Sequence, residues 1–140
     1  MTRRFLRSLA ACLLVGCSSP TEGGTSAWQA TLVPVPPSGV TGTAAALSRA
    51  GRTVASVGIR QALAGSHGWR MVTGTCASPG STLGGAALYP TMSVGPGGTA
   101  EAEASVPGEL RSGGSYAVQV FVAEAMGERI VACGDLAEAS

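Results

Sequence analysis

From Ala100 to Val106 the chain alternates strictly: Ala100, Ala102, Ala104 and Val106 are apolar, while Glu101, Glu103 and Ser105 between them are polar. A two-residue repeat is what a β-strand requires when one face is buried and the other wet, because successive side chains point to opposite sides. The rest of the chain carries the same theme in weaker form, cut into short runs by 21 glycines and 8 prolines that follow no period. Many short elements joined by turns predict an all-β domain.

Taken in order, residues 28–35 alternate weakly and end in Pro34, Pro36 and Pro37, as expected of a first strand at a sheet edge. Residues 43–48 and 53–60 flank Arg49-Ala50-Gly51-Arg52 and predict a hairpin, with Gly51 supplying the positive φ. After a connection at 61–65 comes a strand with Trp69, Met71 and Thr73 on one face and Arg70 and Val72 on the other. Glycine-rich residues 77–89 read as a long loop, and 91–94 as a strand pairing with 99–106 across Gly95-Pro96-Gly97-Gly98. Residues 116–123 put Tyr116, Val118, Val120 and Val122 on one face, 123–127 read as a helical turn, and 130–133 as the last strand. About seven to eight antiparallel strands at this spacing predict a Greek-key β-sandwich or barrel.

Only 4% of the chain is aromatic although 45% is hydrophobic, so the core must be built from Ala, Val and Leu around a few rings. Lysine is absent and the formal net charge is +1, which leaves no basic footprint and excludes nucleic acid as the expected partner. At 140 residues, with no change of composition along its body, the chain holds one domain.

The N-terminus is different. Arg3, Arg4 and Arg7 precede an uncharged apolar run from Leu9 to Val15, which is the build of a secretory signal and too short for a stable membrane span. Leu14-Val15-Gly16-Cys17 resembles the lipobox of bacterial lipoproteins. That resemblance implies cleavage before Cys17, lipid on its sulfur and amino group, and a membrane as partner through the lipid. Ser18, where enterobacterial-type lipoproteins retained at the inner membrane carry Asp, implies passage to the outer membrane of the cell envelope. The expected organisation is a signal peptide over 1–16, the lipidated cysteine and a flexible tether over 17–27, and the domain over 28–140.

With Cys12 removed and Cys17 acylated, Cys76 and Cys133 are the thiols left to an oxidising compartment, and a disulfide between them is expected. Closing so long a loop stabilises a fold by about 4 kcal/mol in the chain-entropy model.

His67-Gly68-Trp69-Arg70-Met71-Val72-Thr73-Gly74-Thr75-Cys76, together with Ala132-Cys133-Gly134, resembles the copper/zinc superoxide dismutases and, more closely, exported superoxide-dismutase-like and chordin-domain-like proteins. The resemblance implies their β-sandwich and the Cys76–Cys133 bond. In those enzymes the strand reads His-Gly-Phe-His-Val-His, and its last two histidines bind copper. Here His67 falls on the first, structural histidine, and Arg70 and Val72 stand at the two copper positions. The penultimate strand, around 121–123, and the loop after Cys76 lack the further histidines the family uses, and Ile130 stands where its substrate-guiding arginine is expected, beside Arg129. One histidine cannot build an imidazole binuclear site, so no metal cofactor and no dismutation are expected.

Other residues invite functional readings that plainer ones outweigh. Arg70 on the vacated face either binds an anion or pairs with a carboxylate, and the second is preferred. Met71, Met92 and Met126 could offer thioethers to copper(I), the alternative of a residual metalloprotein, as could ligands from a partner, but Met71 shares the core side of Trp69. Ser66-His67 lacks the surroundings of a nucleophile, Glu101 and Glu103 fit a solvated strand face, and Asp135 fits a turn. The expectation is a non-catalytic binding or structural module with no catalytic residues.

Overall fold

Alternation produces strands wherever one face can be buried, and there are nine of them among the described residues. The computed structural model describes residues 24–140, so the expected signal segment, Cys17 and the expected tether up to residue 23 lie outside the described residues. The strands are β1 (Ser26–Pro34), β2 (Thr41–Arg49), β3 (Arg52–Arg60), β4 (Gly65–Gly74), β5 (Pro79–Thr82), β6 (Met92–Val94), β7 (Ala100–Pro107), β8 (Tyr116–Glu124) and β9 (Gly127–Glu138). All pair antiparallel, in the order β5-β4-β8-β9-β1-β2-β3-β7 with β6 also against β4. The sheet curls into a half-barrel, an all-β fold. Residues 61–64 and 108–115 carry the chain between strands that are not neighbours, which makes the winding Greek-key in character rather than a meander.

The curl encloses one main core. Trp28, Leu32, Val57, Ile59, Trp69, Met71, Val118 and Val120 are all buried within it. Each tryptophan is set against a tyrosine: Trp28 meets Tyr116 edge-on at 5.4 Å, and Trp69 meets Tyr89 at 5.0 Å. The polar atoms of the second pair are satisfied, Trp69 Nε1 donating to the Pro90 carbonyl and Tyr89 Oη to that of Leu83. Truncating such a ring costs about 3–5 kcal/mol, a large share of a small domain's stability. At the far end of the β2–β3 hairpin, buried Ser48 and Thr53 share a hydrogen bond of 2.7 Å. They also bind the Leu110 amide and the Gly108 carbonyl, which fastens the crossing segment 108–115 to the sheet.

Several sequence expectations are corrected. β1 is not an edge strand: it lies between β2 and β9, and its prolines sit at its last position and beyond, where they end the strand. Residues 92–94 do not pair with 100–107; they pair with Gly65, Ser66 and His67, while β7 pairs along its whole length with β3. Eight register pairs on β3 outweigh the local hairpin that Gly95-Pro96-Gly97-Gly98 would have closed. The loop at 77–89 contains β5 and a short 3-10 turn, Ala86–Leu88. Residues 123–127 form no helical turn but close a tight β8–β9 hairpin, with Glu124 opposite Gly127, and the last strand runs to Glu138.

Candidate functional site

The outward side of β4, β8 and β9 is where Arg70 and Val72 stand. Cross-strand register sets Arg70 opposite Gln119 and Gln119 opposite Cys133, with Val72, Ala117 and Asp135 forming the next row and Gly68 and Phe121 a row on the other side. Arg70 Nε donates to Gln119 Oε1 at 2.9 Å, Nη1 donates to Glu128 Oε2 at 2.8 Å, and the guanidinium carbon lies 4.6 Å from the centre of the Phe121 ring. Phe121 in turn lies over Gly68, the one residue with no side chain to obstruct it. The face is packed over by these groups.

Val72 is sealed in a small second cluster with Ala117 and Cys133, flanked by Cys76 and Ile130. Cys76 and Cys133 form a disulfide, as the sequence led one to expect. It ties the segment after β4 to the middle of β9. Asp135 lies on β9, not in a turn, and its Oδ1 accepts the Cys76 amide at 2.7 Å.

Glu128 reaches Arg70 because of an irregularity. Val120 pairs with Ala132 but Phe121 pairs with Ile130, so Val131 is an extra residue in β9. Such a bulge inverts the alternation beyond it. Val131 and Ala132 both enter the main core, Ile130 joins the outward cluster and Glu128 follows it outward, while Arg129, opposite Val122, turns to the inner side. Simple alternation back from Cys133 would have placed Glu128 inward; the sequence signal that was available, Gln119 and Phe121 on alternate positions from Ala117, marked only the β8 part of the site.

The remaining candidates are dispersed. His67 is 3% exposed, opposite Met92, and its Nδ1 contacts the Gly65 carbonyl at 3.4 Å, the geometry of an Nδ1–H donor. Met71 and Met92 are buried in the core, whereas Met126 is 99% exposed on the β8–β9 turn. Among the described residues no three His, Cys, Asp or Glu side chains gather as a metal-holding group. Ser66, beside His67 in the chain, is exposed.

Two concavities lie away from the Arg70 face. One, of about 790 Å³, is a trough on the outer side of β1, β2, β3 and β7. Thr31, Thr43, Ala45 and Gly58 give it a low floor, and Glu101 and Glu103 line the β7 side. The other, of about 280 Å³, lies at the end of the sheet where β1 finishes and β4 begins. Its walls include Val40, Leu63, Val122 and Val131 together with His67 and Arg129. The sequence contained no motif for it, since its residues come from four separate segments.

Among known proteins, no family model matches the chain and no curated sequence matches it.

Proposed function

We propose that this is an exported bacterial lipoprotein, anchored through Cys17 to the cell envelope, at the outer membrane. Its β-sandwich, of the copper/zinc superoxide dismutase type, serves as a metal-free, non-catalytic binding or structural module. The observation that carries the reading is the packing of the Arg70 face. At the positions the resemblance assigns to copper ligands, one side chain is an arginine already engaged by Gln119, Glu128 and Phe121, and the other is a buried valine. Neither offers a lone pair to a metal. The antiparallel Greek-key winding and the Cys76–Cys133 bond support the fold part of the reading. The short apolar run ending in Leu14-Val15-Gly16-Cys17 supports the anchoring part.

Metal analysis of the full chain isolated from membranes tests the first part. Substoichiometric, readily chelated copper is expected, and a stoichiometric, tightly held copper would overturn it in favour of a metalloprotein. For the anchor, Cys17→Ser should abolish incorporation of labelled palmitate and release or mislocalise the protein. Undiminished labelling would defeat the lipoprotein assignment.

A further inference from the structure

The 280 Å³ cavity at the end of the half-barrel has the make-up of a ligand site rather than a packing defect. One part of its wall is aliphatic, from Val40, Leu63, Val122 and Val131. The polar part is supplied by His67, Arg129, Ser38 and Ser66, and no carboxylate side chain lines it. His67 is nearly buried, yet only its Nδ1 is engaged; no sealed polar side-chain atom among the described residues lacks a partner, which leaves Nε2 accessible at the cavity wall. Arg129 is turned to this side by the bulge at Val131 and is held at the mouth by Glu124 through Nε, with its terminal nitrogens unengaged among the described residues. Leu63, beside the cavity, leaves 80% of its surface in water.

An aliphatic wall with a few convergent donors is the composition of a small-molecule site, and a guanidinium with free N–H groups selects a planar carboxylate. We infer that this cavity binds a small amphipathic carboxylate, its head group on Arg129 with His67 and Ser66 close by, and its aliphatic tail against Val40, Val122 and Val131 under Leu63. Room is sufficient for a chain of a few carbons. The inference deepens the binding-module reading above and rests on it, but it depends on none of the residues of the Arg70 face.

The test is a titration of the full chain in lipid nanodiscs, followed by amide and arginine side-chain NMR signals, with hexanoate as the probe and hexylammonium as its charge-inverted counterpart. Saturable shifts at Leu63, Ser66, His67 and Arg129 are expected with hexanoate, at millimolar affinity for so small a ligand, and none with hexylammonium. Arg129→Gln should weaken hexanoate by about tenfold or more, the loss expected when a charge-assisted pair becomes a neutral one. Leu63→Ser, at an exposed position that the fold does not need, should weaken it severalfold. Absence of saturation, an equal response to hexylammonium, or unchanged affinity in Arg129→Gln would each overturn the inference. Each of those results would leave the metal and lipid tests of the proposed function untouched, so the two failures are distinguishable.

Discussion

Gly68 and Phe121 are fitted to each other so closely that a Cβ on Gly68 would come within 2.4 Å of the Phe121 ring. The absence of one methyl group thus lets the aromatic ring come close to β4, where it can receive the Arg70 guanidinium. Gly68→Ala should force the ring outward, and overpacking of this kind destabilises by about 1–3 kcal/mol. Urea denaturation measures it. In a Phe121→Ala background the same substitution should cost much less, and an undiminished cost there would contradict the packing explanation.

Arg70 and Glu128 form a half-exposed ion pair, but the arginine does more than the pair requires. Glu128→Gln should cost less than about 1 kcal/mol, as for other solvent-screened pairs. Arg70→Ala should cost more, about 1–2 kcal/mol, because it also strips the donor from Gln119 Oε1 and the cation from the Phe121 ring. Equal losses in the two variants, by denaturant midpoint, would show that the ion pair accounts for the whole effect.

The β2–β3 hairpin turns through Ala50 at φ 51° and Gly51 at φ 76°, with Arg49 paired to Arg52. Two consecutive positive φ values are the signature of the turn that favours Asn-Gly, and alanine is poorly suited to the first position. Ala50→Asn should therefore stabilise the protein, by about 0.5–1 kcal/mol, visible as a higher urea midpoint at unchanged slope. A lower midpoint would contradict it.

Burial pushes the Tyr89 phenol above its usual value of 10.0. The unfolded chain therefore ionises first as pH climbs: the contribution is fully present below about pH 10 and is lost as pH rises through the raised value in the folded state. Tyr89→Phe should lose about 1 kcal/mol at neutral pH with its hydrogen bond to the Leu83 carbonyl. The gap between the two proteins should then narrow above pH 10, since the phenylalanine variant has nothing to ionise. A gap that stays constant with pH would sink this account.

Much of the architecture was legible in local pattern. The alternation of β7, the faces of Trp69 and Met71 on β4 and the Arg49–Arg52 hairpin all appear where their residues place them, because side-chain period and turn chemistry are properties of a few neighbouring residues. What β1 and β6 pair with was not legible. Whether Pro34 ends a central strand or marks an edge depends on which strand arrives beside it, and β9 arrives from the other end of the chain.

The sequence alone therefore determined the all-β class, the cysteines available for a disulfide and the common strand face of Arg70 and Val72, since these need only residue identity and spacing. Tertiary structure decided what those residues do. A single extra residue at Val131 sends Glu128 out to Arg70 and Arg129 in to the end cavity, and no periodicity within β9 announces it, because a bulge forms only against the register of the partner strand.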